Sequence, residues 1–141
     1  MLNMLLEQAL CRMSKSNVTN QGSYSLILVY RFPAQNHAAM TNLQKQLAQI
    51  HRKHGTVNSQ FYQLGKTKVF EGFTGIDKAV GAKSDEEVWI EVDTYQDVDQ
   101  FKKAVGAVGA DKEGGPLYAQ LYGLISQGYS VIMGEFSHLK I

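Results

Sequence analysis

The chain has 141 residues, a formal net charge of +1 and a charged fraction of 19%. Its length predicts one domain with a real hydrophobic core. The nearly neutral charge and the lack of any Lys or Arg run argue against nucleic-acid binding by bulk electrostatics. The single cysteine, Cys11, cannot form an internal disulfide, so we predict a cytoplasmic protein. We also predict that it has neither a nucleic-acid nor a membrane partner.

Residues 1–22 are predicted to be an N-terminal extension, and residues 23–141 the folded domain. The apolar side chains of the first thirteen residues fall on one helical face, which indicates either a short amphipathic helix that docks on the body or on a partner, or a disordered segment. Translation that begins at Met13 is a second explanation. The lack of a basic start and the presence of Glu7 in the apolar run argue against a secretion signal.

The regular part of the chain begins with a predicted strand at 24–32, which ends at Pro33 because proline cannot donate to a strand ladder. A helix follows, from a predicted N-cap at Asn36 to a left-handed residue at Gly55. Spacings of three and four residues predict its buried stripe. The stripe consists of Met40, Leu43, Leu47 and Ile50.

The second half of the domain repeats the alternation of strands and helices. Strands are predicted at 57–64, 85–95 and 129–136. Thr94 and Asp97 suggest a capping box for a second helix, with Val98, Phe101, Val105 and Val108 buried. Pro116 suits the start of a short third helix that ends at Gly128. Its predicted inward residues are Leu117, Leu121, Tyr122 and Ile125.

This order, β-α-β-β-α-(α)-β, predicts an α+β protein of the ferredoxin-like, split βαβ type, with an extra short helix before the last strand. Four antiparallel strands would carry the helices on one face. The other face would remain uncovered, and the strands and their flanks are rich in aromatic residues. We therefore expect a homodimer in which two sheets face each other.

The third strand has two different faces because side chains alternate along a strand. Val88, Ile90 and Val92 lie on one side and are assigned to the core. Trp89 and Glu91 lie on the other side, together with Asp93. We therefore predict that Trp89 lies on the outer face of the sheet and anchors the dimer interface.

The segment 73–97, FTGIDKAVGAKSDEEVWIEVDTYQD, and the closing SVIMGEF resemble an uncharacterised branch of the dimeric α+β barrel superfamily. The resemblance covers about residues 25–139 and implies a ferredoxin-like protomer that pairs through its sheet into a closed barrel. Neighbouring families resemble cofactor-independent monooxygenases, small-molecule degradation enzymes and haem-degrading enzymes. The branch supplies no catalytic residues, and this chain differs from it in the N-terminal extension and in lacking a glycine near the start of strand one.

Two carboxylates on one strand face suggest a cavity in the dimer barrel, because burial and mutual repulsion can separate the pKa values of such a pair. The alternative is that these carboxylates are interface or edge residues paired with lysines or with Arg31. The predicted ligand-binding residues are Tyr30, Tyr62, Trp89, Glu91, Asp93 and Glu135.

The four histidines do not form a metal motif. His51 and His54 share a helical turn, but no third His or Cys is close in sequence and the zincin signature is missing. His54 is expected to be a hydrogen-bonded residue at the helix end, and His37 and His138 have no sequence partner. Any of the four could act as a general base with a distant carboxylate. We predict no metal and no cofactor.

The long connection from Gly65 to Asp85 is typical of a lid or a binding loop, and its apolar residues argue against disorder. GKT at 65–67 lacks the remainder of a phosphate-binding loop, so we predict no nucleotide role.

Three function classes remain open. The best supported is a homodimeric small-molecule-binding protein. A cofactor-independent monooxygenase or isomerase with Glu91 or a histidine as base is the alternative, and a structural or regulatory dimer is the third.

Overall fold

A computed structural model describes residues 22–125 and 131–141. The predicted N-terminal helix and the helix end at Gly128 lie outside these ranges. Within them, a 3₁₀ turn (Ala34–Asn36) precedes the first helix. The strands are β1 (Tyr24–Pro33), β2 (Asn58–Gln63), β3 (Glu86–Tyr95) and β4 (Val131–Ser137), and the helices are α1 (His37–Lys53), α2 (Ile76–Ala79), α3 (Val98–Ala110) and α4 (Gly114–Leu124).

The four strands form one antiparallel sheet in the order β2-β3-β1-β4. β1 and β3 are the central pair and stay in register over ten residues each, from Tyr24 opposite Tyr95 to Pro33 opposite Glu86. Helix α4 packs against α1 and α3, and the helices cover one face, which we call the inner face. The α+β, ferredoxin-like fold predicted from the element order is confirmed.

Helix α1 follows its predicted stripe, because Met40, Leu43, Leu47 and Ile50 are all buried. Gly55 ends the helix region with a φ of 104°, a conformation that a side chain would strain. Asn36 precedes α1 as predicted, but its side chain does not cap the helix. The Asn36 amide instead donates to the carbonyl of Leu124, 3.2 Å away, and so links the start of α1 to the end of α4.

The predicted start and stripe of α3 need correction. The N-cap is Asp97, whose carboxylate accepts a hydrogen bond from the Gln100 N–H at 2.8 Å, whereas Thr94 belongs to β3. Ala104 and Val108 are buried, but Val105 is 49% exposed.

Helix α4 begins at Gly114, two residues before the predicted Pro116. A side chain at Gly114 would lie 2.7 Å from the Val108 carbonyl oxygen, so the turn between α3 and α4 requires glycine. Leu117 and Ile125 are buried as predicted. Tyr122 was predicted to face inward but is 71% exposed.

The face assignment of β3 was wrong. Trp89, Glu91 and Asp93 lie on the inner face beneath the helices. Val88, Ile90 and Val92 alternate with them and lie on the outer face. Both sides of β3 are covered over part of their length, so its apolar alternation gave no reliable guide to which side meets the helices.

No helix in the described ranges is long and apolar enough to cross a membrane.

Candidate functional site

A cluster of buried polar side chains lies between the sheet and helix α1. Glu91 and Asp93 project from β3, and Gln44 and His51 project from α1; each is at most 7% exposed. The Gln44 amide donates to the Tyr30 hydroxyl at 2.8 Å and to the Glu91 carboxylate at 3.3 Å. Buried polar groups of this kind are retained only where they find partners or serve a ligand.

The two ring nitrogens of His51 have different surroundings: Nε2 contacts Tyr118, and Nδ1 faces the cluster. Its Nε2 is 2.6 Å from the Tyr118 hydroxyl of α4. Its Nδ1 is 3.7 Å from the Asp93 carboxylate, which is too long for a hydrogen bond, and it has no hydrogen-bond partner in the described chain. Asp93 accepts a hydrogen bond from the Ser59 hydroxyl at 2.6 Å. His51 is therefore oriented by Tyr118 while a nitrogen faces a carboxylate.

The surroundings of Glu91 favour its uncharged form. Burial holds the pKa of Glu91 well above its usual range, and the charge of Asp93 and a hydrogen bond to Asp93 raise it further. Burial and the nearby Glu91 also raise the pKa values of Tyr30 and Tyr118. Burial raises the pKa of Tyr95 to about 12. Burial in this cluster therefore favours the uncharged forms of Glu91 and of these tyrosines.

The six residues predicted to line one cavity do not come together. Tyr30, Trp89, Glu91 and Asp93 are neighbours on the inner face. Tyr62 pairs with Ile90 and so lies on the outer face, 53% exposed. Glu135 lies at the β4 edge, where it accepts a hydrogen bond from the Tyr24 hydroxyl. Tyr62 is separated from the other residues because it lies on the opposite face of the sheet. Glu135 is separated from them because it lies on the edge strand β4.

Trp89 is a core residue and not an anchor on the outer face. Its ring lies 5.0 Å from that of Phe32 and 5.6 Å from that of His37 at the start of α1. His37 also contacts the Glu87 carboxylate at 2.9 Å. His54, as predicted, is hydrogen-bonded at its helix end, 2.6 Å from Asp111. His138 is 2.8 Å from the Ser25 hydroxyl.

Sequence reasoning missed the helical half of the cluster. Gln44, His51 and Tyr118 were not assigned to any site with the β3 carboxylates. A signal was present, because Gln44 follows Leu43 and His51 follows Ile50, each one position along from the apolar stripe of α1. Polar residues beside a buried stripe indicate that a polar partner faces them across the core.

The connection between β2 and β3 encloses a second candidate site, a chamber of about 720 Å³ that we call the loop chamber. Helix α2 lies within this connection. Arg31 binds the end of the connection that leads into β3. Its guanidinium donates to the Val80 carbonyl at 3.0 Å and to both oxygens of Glu86 at 2.9 Å. None of the six predicted ligand-binding residues lines the chamber. Its lining includes Lys66, Lys68, Val69, Phe70, Phe73 and Lys83.

Comparisons with known proteins extend the fold assignment. No protein-family model matches the sequence. No curated protein matches it either. Several solved structures are similar in fold. An Arabidopsis thaliana protein superposes with a TM-score of 0.56 at 11% identity, covering 84% of this chain and 97% of its own.

Two further structures give the same result. A dimeric ferredoxin-like protein from an uncultured marine organism has a TM-score of 0.55 at 12% identity, covering 87% of this chain and 93% of its own. A Mycobacterium tuberculosis protein has a TM-score of 0.51 at 13% identity, covering 85% and 98%. The chain therefore has the ferredoxin-like α+β fold of these proteins, as its resemblance to the dimeric α+β barrels implied.

Proposed function

We propose that this protein is a homodimer that binds small anionic molecules with an apolar part, in the loop chamber. The observation that carries the proposal is the composition of the chamber wall. Three lysines and two exposed phenylalanines meet around a volume in the range of small-molecule sites. We expect this binding protein to act in the cytoplasm.

The charge of the chamber favours an anion. Lys66, Lys68 and Lys83 form no ion pair with any described residue. Of the acidic residues in the wall, Glu86 is bound by Arg31 and Glu87 by His37. Asp77 and Glu87 therefore remain as opposing charges against three ammonium groups, because a hydrogen bond from a neutral imidazole would leave the Glu87 charge in place.

The apolar part of the ligand would meet the aromatic pair. Phe70 and Phe73 are 78% and 72% exposed, and their rings make an edge-to-face contact with centroids 6.0 Å apart. Large exposed aromatic side chains that lie together on a loop commonly mark a binding surface. A carboxylate beside the lysines and a ring beside the phenylalanines would match this wall.

The outer sheet face supports the dimer. Ile27, Val29, Ile90 and Val92 lie there, each incompletely buried, and Ile132 of β4 is 47% exposed. An apolar sheet face of this kind is a liability on a monomer, and a two-fold pairing of identical faces would cover it. The structurally similar marine protein is described as dimeric.

Thermal-shift titration of the full chain tests the ligand class. Benzoate and phenylacetate should raise the melting temperature in a concentration-dependent way, and their methyl esters should not. Lys68→Gln and Lys83→Gln should each weaken the carboxylate effect about tenfold or more, corresponding to about one charge-assisted hydrogen bond. Lys103→Gln, an exposed lysine of α3, is the matched control and should behave as wild type. Equal shifts from acid and ester, or equal shifts in all variants, would refute the proposal.

A further inference from the structure

We propose that His51, Glu91 and Asp93 form a binding site for one divalent transition-metal ion, for which Zn²⁺ is the reference ion. This proposal is separate from the loop chamber and goes beyond the function proposed above. One ligand atom from each of the three buried residues lies within 4.8 Å of the others. Two metal–ligand bonds of about 2.0–2.2 Å span at most about 4.4 Å, so small side-chain movements suffice to place an ion between them.

The chemistry of the donors suits this class of ion. One imidazole nitrogen and two carboxylate oxygens are the donor types of three-ligand zinc sites, which leave a further position open. Two carboxylates and a neutral imidazole would balance a divalent cation to a net charge of zero.

The second observation is the unpartnered nitrogen of His51. His51 is 7% exposed, and its buried Nδ1 makes no hydrogen bond within the described residues, although it faces the Asp93 carboxylate. Their separation of 3.7 Å exceeds a hydrogen bond but fits two ligands of one ion. The buried nitrogen and the carboxylate that faces it are therefore placed as two ligands of one ion would be.

Surrounding residues hold the donors in place as metal sites require. Tyr118 contacts Nε2 of His51 at 2.6 Å, which fixes the ring and leaves Nδ1 for the ion. Ser59 donates to one oxygen of Asp93 and leaves the other near His51. Gln44 donates to Glu91, while its own Oε1 is buried without a partner in the described chain.

The test is calorimetric titration of Zn²⁺ into untagged, EDTA-treated full-length protein at pH 7.5. A Cys11→Ser background removes the only thiol. We expect one saturable site per chain. Glu91→Gln and Asp93→Asn preserve side-chain size and should weaken binding at least about tenfold, since even supporting residues of metal sites contribute ten- to hundredfold.

His54→Gln is the matched control. His54 lies on the same helix end and contacts Asp111, outside the cluster, so binding should remain within about twofold of the parent. Circular dichroism confirms that each variant is folded. Co²⁺ should give the intense visible absorption of a low-coordinate site in the parent and not in Glu91→Gln.

Three results would overturn the proposal. The first is the absence of a saturable site, and the second is unchanged Zn²⁺ affinity in both folded carboxylate variants. The third is a loss in His54→Gln that equals theirs, because it would place the ion at the helix end.

Discussion

The indole of Trp89 stands edge-on against the ring of Phe32, at an interplanar angle of 80° and a centroid distance of 5.0 Å. Both rings belong to one buried cluster beneath α1, which also contains Tyr30 and Met40. The central strands β1 and β3 therefore contribute large aromatic side chains to the core, and the contact defines which side of the sheet the helices cover.

Trp89→Glu should prevent stable folding, because the substitution would place a charge in the core. Trp89→Ala should cost about 3–5 kcal/mol in free energy of unfolding. Trp89→Phe should cost clearly less, because it also removes an indole N–H that has no partner among the described residues. Urea unfolding measures these losses. A Trp89→Glu protein that remains fully folded would show that the indole is not part of the core.

Glu91→Gln should leave the free energy of unfolding unchanged or raise it at pH 7 in the presence of EDTA. The reason is that burial raises the pKa of Glu91 and so disfavours its charged form, whereas glutamine has nearly the same shape and carries no charge. Urea unfolding is the measurement, and Glu71→Gln on the exposed loop is the control. A clearly destabilised Glu91→Gln would show that an ionised Glu91 is paired and structural.

Asp111 should contribute acid-sensitive stability. The pKa of Asp111 lies well below its usual range, and the hydrogen bond from His54 is the largest cause. The backbone N–H of Glu113 and the Lys53 ammonium lower this pKa further. A carboxyl group whose pKa is lowered by folding stabilises the folded state at pH values above its pKa in the unfolded chain, which is about 3.9. This stabilisation is lost as the pH falls from there toward the pKa of the group in the folded protein.

Wild type should therefore be more stable than Asp111→Asn at pH 6, and the difference should shrink below about pH 4. Urea midpoints between pH 2.5 and pH 6 measure the difference. Asp85→Asn, at an exposed carboxylate, should show no such dependence. A gap between wild type and Asp111→Asn that stays constant across this range would contradict the assignment.

Ile90→Lys should convert the proposed dimer to a monomer while the fold is retained, because it places a charge at the centre of the outer face. Light scattering should then give the 15.7 kDa of one chain in place of twice that mass. Val105→Lys, at a half-exposed helix position, should stay dimeric. An Ile90→Lys protein that keeps the mass of a dimer would exclude pairing through the outer face.

Gly55→Ala should destabilise the fold by about 1 kcal/mol or more, since alanine is strained at a φ of 104°. Its Cβ would also lie 1.9 Å from the Gln100 amide nitrogen, so the Gln100 side chain would have to move. Gly106→Ala is the opposite case. Gly106 lies within α3 with nothing near its Cβ position, so alanine should stabilise the helix by about 0.5–1 kcal/mol. Thermal melting of both variants separates backbone strain from helix propensity.

The element order was predictable because strands, helices and their ends carry local signals. Pro33 and Gly55 mark their positions through backbone chemistry that does not depend on the rest of the chain. The side of β3 that meets the helices was not predictable in this way. Val88 and Trp89 are adjacent and therefore lie on opposite faces of β3, yet both are buried. Tertiary packing, and not the local pattern, determines which of the two faces meets the helices.

The candidate site was half predictable for a related reason. Glu91 and Asp93 are two residues apart on one strand, and this spacing alone places them together. His51 comes from α1, about forty residues earlier in the chain, and Tyr118 comes from α4. No local spacing relates these elements, so only the packed fold brings His51 and Tyr118 to the carboxylates.

The polar cluster also has a role in strand pairing. If β3 slipped by one residue against β1, Ile90 and Val92 would turn toward the helices and Trp89 would leave the core. The same slip would also separate Gln44 from Glu91 and His51 from Asp93, and buried polar groups that lose a partner are costly. The cluster thus selects a single alignment of the two central strands, in the way that one buried polar residue fixes the register of a coiled coil.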